Sequence, residues 1–375
     1  MKIFYLDPNA TTPQYSYPVL EELLNQKLDV TFYSTINQYI SEYYISTYNV
    51  KADYFYFRIA NKIKNQKVRK IIKLLSYTCD SLIFVGKIIR NRPDIVHYNW
   101  LAIPPIDLIV IKLLKLMNIK VVITRHDFIP HEFRNLQPGD MKCLQLADAI
   151  ICLSEAIKMR FPKKMQNKIT VIPHGNTYEK ELLMFPVMKT ESDENSLNIL
   201  LVGNLKPYKG AFLLLQACGE LIREGTFPEL KLKLSGKCEP ALQAQIEEYI
   251  QNNELEKYIE RVYKFISYEE MFQDIVNCDL GILPYKWGSQ SGLPYIFYAF
   301  YKPLVLSNVC GLSEQGNDRI SMIIEPEIND IKNSIRDFQK KRHHYKDTDF
   351  TEFLSSNDIK NVARKIRQLY AQLSA

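Results

Sequence analysis

The sequence predicts an α/β protein built from two doubly wound domains in tandem, and three observations lead to this prediction. At 375 residues the chain is longer than one hydrophobic core usually supports. Short apolar runs rich in β-branched and aromatic residues alternate with amphipathic stretches, a pattern typical of parallel sheets covered by helices on both faces. A polar stretch at residues 188–196 (MKTESDENS) interrupts this alternation, which then starts again.

The elements of the first half follow from their periodicity. We expect strands at residues 3–6, 30–33, 95–98, 121–124, 149–153 and 169–172. We expect helices at residues 19–26, 71–89, 106–117 and 139–147.

The second half repeats the scheme. Strands are expected at residues 199–202, 230–234, 259–263, 280–283, 304–307 and 320–324. Helices are expected at 211–217 and 293–300, followed by a basic amphipathic helix at 358–373 with Asp358 as its cap. The predicted domains are residues 1–180, residues 181–357 and a C-terminal helix, 358–375, that packs back on the first domain. Two such domains place a cleft between the carboxyl ends of their strands, where ligands of this fold class bind.

The composition excludes several classes of protein. A hydrophobic fraction of 46% and a charged fraction of 24% are those of an ordinary globular protein. The seven cysteines are scattered singly, which argues against a zinc site and against disulfides. The start, MKIFYLD, lacks the pattern of a signal peptide, and the apolar stretch 101–117 is interrupted by proline and charge. We therefore expect a cytoplasmic protein.

A glycine-bounded turn with two lysines follows the predicted strand 199–202. It reads GNLKPYKG from Gly203 to Gly210 and leads into a helix. Backbone N–H groups and the helix dipole attract an anion there, and two ammonium groups add to that attraction. We expect Gly203, Asn204, Lys206 and Lys209 to hold a diphosphate; the alternative is an ordinary solvated loop.

Two strand ends of the first half carry histidine. The strand at 121–124 runs into RHDFIPH, so His126 and Asp127 lie where doubly wound folds place their active-site groups. His126 could bond a ligand hydroxyl or stabilise charge near a phosphate, and Asp127 could orient it or accept a proton. Alternatively, His126 caps the following turn. After the strand at 169–172, His174 either points into the cleft or bonds to a backbone carbonyl.

A second group of small polar residues follows the predicted strand 280–283. It reads PYKWGSQSG, and the segment NVCGLSE after strand 304–307 ends at Glu314. We expect a second anion site here, formed by Ser289, Gln290, Ser291 and Gly292. Trp287 or Tyr285 could stack on a base, although core packing is the alternative for Trp287.

With these segments the chain resembles glycosyltransferase family 4 and its near GT-B relatives, which build bacterial surface polysaccharides. The resemblance spans nearly the whole chain and rests on RHDFIPH, ADAIICLSE, VIPHGN, VGNLKPYKG and SQSG with KPLVLSNVCGLSE, in that order. It implies the GT-B fold, in which two Rossmann-like domains face a central cleft. Lys209 and a nearby basic residue would bind the donor diphosphate, and His126 would contact the donor sugar. The loop 289–292 would close over the phosphates, with Glu314 near the donor.

The implied reaction moves a hexose-type sugar from a nucleotide-sugar to a glycan or lipid-linked glycan acceptor. The nucleotide-sugar is a substrate, so no cofactor is expected. The resemblance implies retention of configuration, while inversion with Asp127 as base stays open. No acidic pair or histidine cluster marks a metal site at a strand end, so we expect Lys206, Lys209 and helix termini to neutralise the leaving diphosphate.

The chain departs from the family pattern at several positions. Many members carry two glutamates spaced by seven residues, where this chain has Gly288 and Ile296, and many have arginine where it has Asn204. Two alternatives therefore stay open. One is a nucleotide-sugar 2-epimerase, and the other is a catalytically weakened GT-B partner subunit.

The most basic segment spans residues 58–92, with ten Lys and Arg against a single acidic residue, Asp80. An aromatic run, YFYF at 54–57, precedes it. Charge beside apolar surface is what binding to anionic lipid requires, although a solvated helix face or a nucleic-acid patch has the same composition. We expect residues 54–92 to contact the inner membrane face, where a polyprenyl-diphosphate-linked glycan acceptor would be presented, and we expect no nucleic-acid binding.

Overall fold

The chain divides into two compact units in a computed structural model. The residues described are 1–36, 42–63, 65–128, 136–189, 196–225, 227, 229–288 and 290–374. The first unit comprises Met1–Thr177 and Asp358–Ala375, and the second comprises Tyr178–Asn357. Residues 190–195 of the predicted linker lie outside the described residues.

The first unit is built on a parallel sheet that has seven strands among the described residues. The strands are β1 (Lys2–Asp7), β2 (Asp29–Ser34), β3 (Ala52–Tyr54), β4 (Ile95–Tyr98), β5 (Lys120–Arg125), β6 (Ala149–Cys152) and β7 (Ile169–Val171). Their spatial order is β3-β2-β1-β4-β5-β6-β7, with every neighbouring pair parallel. The sequence predicted all of these except β3, an edge strand of three half-buried residues that has no alternating pattern.

Helices connect these strands and cover the sheet. They are α1 (Pro13–Asn25), α2 (Glu42–Thr47), α3 (Gln66–Asn91), α4 (Pro104–Leu116), α5 (Asp140–Leu146), α6 (Glu155–Met159) and α7 (Lys163–Gln166). Helices α1 and α4 begin with proline, which needs no N–H partner in the first turn. The Asn65 side chain caps α3 by accepting from the backbone N–H groups of Lys67 and Val68, at 3.0 and 3.3 Å.

The second unit holds a parallel sheet of six strands within the described ranges. The strands are β8 (Leu197–Val202), β9 (Leu230–Ser235), β10 (Ile259–Val262), β11 (Leu280–Leu283), β12 (Leu304–Ser307) and β13 (Ser321–Ile324). They lie in the order β10-β9-β8-β11-β12-β13, all parallel. The helices are α8 (Glu179–Met184), α9 (Ala211–Arg223), α10 (Pro240–Asn252), α11 (Tyr268–Asn277), α12 (Leu293–Ala299), α13 (Ile328–Lys341) and α14 (Asp347–Ser356). All six strands were predicted, and the expectation of doubly wound sheets is confirmed.

The last helix, α15 (Ile359–Ser374), belongs to the first unit. It packs against α1 and contributes Ile359, Val362, Ala363, Ile366, Leu369 and Tyr370 to the buried core of that unit. Its Tyr370 hydroxyl lies 2.5 Å from His97 Nδ1, and His97 Nε2 lies 2.7 Å from the Thr124 hydroxyl. A polar chain inside the sheet core thus connects α15 to β4 and β5.

The aromatic run at 54–57 is not the exposed surface that the sequence suggested. Phe55, Tyr56 and Phe57 are buried beneath α3, where the Phe57 ring stacks on Tyr77 with centroids 5.3 Å apart. Packing in the protein core removes the apolar surface of these rings from water, so it is not available to lipid. That part of the expected membrane surface was wrong. None of the helices in the described ranges is long and apolar enough to cross a membrane.

Candidate active site

Polar side chains at the carboxyl ends of β1, β4 and β5 form one hydrogen-bonded cluster in the first unit. These strands are neighbours in the sheet, so Asp7, Asn99 and His126 come together. The Asn99 amide nitrogen donates to Ser16 Oγ at 3.0 Å and to Thr12 Oγ1 at 3.3 Å. Asn99 Oδ1 lies 3.0 Å from His126 Nε2. His126 is therefore anchored to a network that begins two strands away.

Aromatic rings hold the His126 imidazole on two sides. The Trp100 ring stacks on it with centroids 4.5 Å apart and planes only 2° from parallel. Trp100 Nε1 donates to Thr12 Oγ1 at 2.9 Å, which fixes the indole in turn. The Tyr15 ring meets the imidazole edge-on at 5.1 Å. A cavity of about 50 Å³, enough for a water molecule, borders His126 and Trp100.

Burial keeps the His126 imidazole neutral. It is the largest cause of a pKa well below the ordinary histidine value, and the nearby His174, His97 and Arg125 lower that pKa further. A hydrogen bond with the Asn99 backbone raises the pKa, but by less than burial lowers it. A neutral imidazole donates through one nitrogen and accepts through the other.

The two neighbours of His126 in the chain have different surroundings. Arg125 pairs with the buried Asp140, at 3.2 Å, and donates to the Phe128 backbone oxygen at 2.8 Å. Both contacts of the Arg125 guanidinium are thus with residues that follow β5 in the chain. The Asp127 carboxylate is also buried, at 7% exposure. The rest of the RHDFIPH segment, residues 129–131, lies outside the described residues.

His174 lines the same region of the first unit. Its ring centroid lies 5.1 Å from that of Tyr15, whose other neighbour is His126. His174 Nδ1 lies 3.0 Å from the Gly175 backbone oxygen, which is the backbone bond that the sequence left as an alternative. Because a carbonyl oxygen only accepts, Nδ1 carries the hydrogen. Burial lowers the pKa of His174, so this ring is neutral as well.

In the second unit, the lysine turn lies between β8 and α9. A short 3₁₀ turn, Pro207–Lys209, precedes Gly210. The half-buried Lys209 side chain folds back so that Nζ lies 5.2 Å from the centroid of the Tyr285 ring. A β-carbon at Gly203 would lie 3.6 Å from this Nζ, so the ammonium sits over the glycine backbone. Lys206 is exposed, and no carboxylate in the described part of the chain pairs with either lysine.

Close backbone approach explains two glycines in this region. A β-carbon at Gly210 would lie 2.1 Å from the Pro284 oxygen, and one at Gly236 would lie 1.9 Å from the Gly203 oxygen. Both glycines also have positive φ, +73° and +147°. The loops after β8, β9 and β11 are thus packed backbone to backbone beneath the lysines.

The loop before α12 is held by a glutamine that the sequence did not single out. Gln315 accepts from the Ser291 backbone N–H and donates to the Ser291 oxygen, both at 2.6 Å. Gly292 lies against the Tyr178 hydroxyl, 2.3 Å from where a β-carbon would be. Ser289 falls outside the described residues. Gln290 is half-buried beside this clamp.

The remaining predicted donor residues are on the surface. Asn204 is exposed next to Gly203, and Glu314 is exposed in the 3₁₀ turn Ser313–Gln315. Trp287 is 49% exposed and packs on Tyr208 with centroids 4.5 Å apart. Tyr285, in contrast, is only 3% exposed, so the suggestion that its ring could stack on a base was wrong.

Two family models match consecutive parts of this sequence. The Glycosyltransferase Family 4 model matches residues 20–177, and the Glycosyl transferases group 1 model matches residues 187–353. The chain belongs to the family 4-like GT-B glycosyltransferases.

Solved structures share the fold of this glycosyltransferase over its full length. HepE from Anabaena in complex with UDP matches with a TM-score of 0.73 and 14% identity, covering 99% of this chain and 100% of that one. A glycosyltransferase from Rickettsia africae matches at 0.72 and 16% identity, covering 99% and 98%. The UDP-GlcNAc 2-epimerase from Neisseria meningitidis, bound to UDP-GlcNAc, matches at 0.60 and 14%, covering 99% and 100%. No curated protein matches the sequence.

Among the residues that the structure describes, no three His, Cys, Asp or Glu side chains are grouped so that they could hold a metal ion. Asn99 and Trp100 contact the predicted His126, and Gln315 contacts the predicted Ser291, but none of the three was predicted. Asp7, which bonds Thr12 in the same network, was not predicted either. Asp7, Asn99 and Trp100 lie at the carboxyl ends of strands, which is the position that identified His126. The same criterion could therefore have identified them from the sequence.

Proposed function

We propose that this glycosyltransferase moves a hexose-type sugar from a nucleotide-sugar to a glycan or lipid-linked glycan acceptor, without a metal ion and with retention of configuration. Lys209 is the observation that carries the proposal. Its ammonium is half-buried over the Gly203 backbone and has no carboxylate partner in the described residues. A cation held in this way is preorganised for the charge that develops on a leaving nucleoside diphosphate.

The charge on the leaving diphosphate would be neutralised by the protein itself. Lys209 supplies a fixed ammonium, Lys206 an exposed one, and the N-terminus of α9 adds its dipole. His126 would accept a hydrogen bond from a hydroxyl of the sugar substrate. Asp127 is close to His126 in the chain and would be the base if the reaction inverted instead.

A nucleotide-sugar panel with an acceptor mixture tests the proposal. Structures with this fold were solved with UDP, UDP-glucose and UDP-GlcNAc, so uridine nucleotides are the first to screen. We expect one donor to raise the melting temperature and to transfer its sugar at an unchanged rate in EDTA. Activity that is lost in EDTA and restored by Mn²⁺ or Mg²⁺ would contradict the metal-free account.

Omitting the acceptor separates the two alternatives. Ile296, at one of the positions where many family members have glutamate, is buried in α12 and offers no replacement for that carboxylate. Conversion of the donor sugar without acceptor would identify a 2-epimerase. Donor binding without any conversion, in the presence of cell-envelope glycans, would identify a catalytically weakened partner subunit.

A membrane role for the first unit rests on α3. Four apolar side chains form a stripe along its solvent face, spaced four, seven and seven residues apart: Ile71, Leu75, Leu82 and Ile89. Their exposures are 64%, 62%, 69% and 58%. A helix normally turns such a stripe toward a core, so its exposure calls for a partner. We name it the α3 stripe.

The charges around the α3 stripe favour anionic lipid as that partner. Lys67, Arg69 and Lys70 are exposed in the first turns of the helix. Lys87, in contrast, pairs with Asp53 at 2.8 Å, and Lys73 lies over the Phe57 ring at 4.7 Å. Three exposed cations beside an apolar stripe suit interfacial binding, which would bring the enzyme to a lipid-linked acceptor at the inner membrane face.

A further inference from the structure

Asp7 is a fixed anion at the start of the network that reaches His126. It is fully buried at the end of β1 and accepts the Thr11 backbone N–H with both oxygens at 3.0 Å, and that of Thr12 at 3.4 Å. Asp7 is connected to Asn99 through Thr12, whose backbone N–H bonds Asp7 and whose hydroxyl accepts from the Asn99 amide nitrogen at 3.3 Å. Burial raises the pKa of Asp7 to about 6, although these hydrogen bonds lower it, so the carboxylate is ionised at neutral pH.

An ionised Asp7 fixes the orientation of the Asn99 amide. The Asn99 side chain lowers the pKa of Asp7, as it does when its NH₂ group rather than its amide oxygen is the end nearer the carboxylate. The hydroxyls of Thr12 and Ser16 accept from the same NH₂ group, at 3.3 and 3.0 Å. The amide oxygen is therefore the atom that faces His126, which agrees with the 3.0 Å separation of Oδ1 and Nε2.

The orientation of the amide then decides the tautomer of the histidine. An amide oxygen cannot donate, so Nε2 of His126 must carry the hydrogen. Burial keeps the ring neutral, which leaves Nδ1 without a hydrogen. Stacking on Trp100, with planes 2° apart, prevents the ring from tilting out of this arrangement.

We propose that Asn99 is a positioning residue through which the fixed charge of Asp7 sets the tautomer of His126. We call this coupling the relay. This inference rests on the proposed function, in which His126 accepts a hydrogen bond from a sugar hydroxyl. A bare Nδ1 accepts such a bond, whereas the other tautomer would offer a donor there. Positive charge builds on the sugar during glycosyl transfer, so a neutral acceptor is favoured over an imidazolium.

Nitrogen NMR of ¹⁵N-histidine-labelled protein tests the relay without any substrate. In the wild type we expect the His126 signals of a neutral ring with hydrogen on Nε2. Asn99→Ala and Asp7→Asn should each give a mixture of the two tautomers.

Transfer assays then separate the relay from the role of His126. We expect Asn99→Ala to lower kcat about 10- to 100-fold, the range found when the partner that orients a ligating histidine is lost. Asn167→Ala, an exposed asparagine of the same unit, is the matched control. Hydrogen on Nδ1 in the wild type, or an unchanged tautomer in both Asn99→Ala and Asp7→Asn, would overturn the inference. Mixed tautomers with an unchanged transfer rate would uphold the relay and overturn the proposed role of His126.

Discussion

At the scale of single residues, the Lys209 ammonium is the group whose removal should affect transfer most directly. We predict that Lys209→Ala lowers kcat by about 100-fold or more, the loss typical of one donor to a developing oxyanion. Stability should fall by no more than about 1 kcal/mol, which is the value of its contact with the Tyr285 ring. Initial rates and melting curves measure the two effects.

Lys231→Ala provides the control for that variant. Lys231 is an exposed lysine on β9 of the same unit, so its loss changes net charge equally. Full activity in Lys209→Ala, or an equal loss in the control, would remove the lysine turn from the mechanism.

The second residue prediction concerns His126 and Asp127. We expect His126→Phe, which keeps the stack on Trp100, and Asp127→Asn to reduce transfer per folded molecule at least about 10-fold. Burial holds the pKa of His126 well below the usual value, so the wild-type rate should not decline between pH 8 and pH 6.5 through protonation of this ring. Specific activity and melting temperature are measured together. A lower melting temperature with unchanged specific activity would make the affected residue structural only.

At the scale of elements, strands were easier to predict than the contacts of their ends. Apolar β-branched runs identified β4, β11 and β12 to the residue, whereas β3 has only three half-buried residues and gave no pattern. Helix α1 begins at Pro13, six residues before the predicted start. Its first turns contain Tyr15, Tyr17 and Pro18, which obscure helical periodicity.

The sequence predicted which chemically distinctive residues belong to the candidate site, but not which residues are their neighbours in space. His126 and Lys209 are chemically distinctive at strand ends, so the sequence sufficed to select them. Asn99 and Gln315 carry neutral amides, which are common on any surface. They matter because the order of the strands brings Asn99 close to Asp7 and the packing of the loops brings Gln315 to Ser291. Neither the strand order nor the loop packing could be predicted from the sequence.

The packing of the loop before α9 leads to a stability prediction. Gly210 and Gly225 have nearly the same φ, +73° and +69°, but only Gly210 lies against another backbone, that of Pro284. Alanine at Gly225 should cost about 1–2 kcal/mol for the left-handed conformation. Alanine at Gly210 should cost about 1–3 kcal/mol more, because the Pro284 loop must move. Urea unfolding of both variants measures the difference, and equal losses would show that the loop yields freely.

The α3 stripe and the three exposed cations beside it give the second element prediction. Wild-type protein should sediment with anionic but not neutral vesicles, and less so as salt rises. At ~1 kcal/mol per basic residue, replacing Lys67, Arg69 and Lys70 with Glu should weaken binding about 100-fold or more. The double substitution Leu75→Glu and Leu82→Glu should abolish vesicle binding. Because both side chains are exposed, it should not unfold the protein.

Two further variants make that experiment specific. Lys231→Glu alters charge on the second unit and should leave vesicle binding unchanged. Melting shifts with nucleotide-sugar should stay the same in every α3 variant. Equal binding to neutral vesicles, or binding that survives the leucine substitutions, would exclude the stripe as a lipid contact.

At the scale of the whole molecule, the C-terminal helix α15 completes the core of the first unit. The strands of that unit end at Val171, yet α15 returns from the far end of the sequence to cover α1 and to bond His97 through Tyr370. Burying a large apolar side chain contributes about 1.5–3 kcal/mol. The five larger side chains that α15 buries thus rival the total stability of a domain, which is about 5–15 kcal/mol.

This dependence predicts that the two units respond differently when the C-terminus is removed. A chain ending at residue 357 should lose amide protection throughout Met1–Thr177 while Tyr178–Asn357 stays protected, because α15 contributes core only to the first unit. In the full-length protein, Ile366→Ala should cost about 2–5 kcal/mol, and the exposed neighbour Arg367→Ala almost nothing. Hydrogen exchange read by mass spectrometry reports on each unit. Equal protection of the first unit with and without residues 358–375 would show that its core is stable without α15.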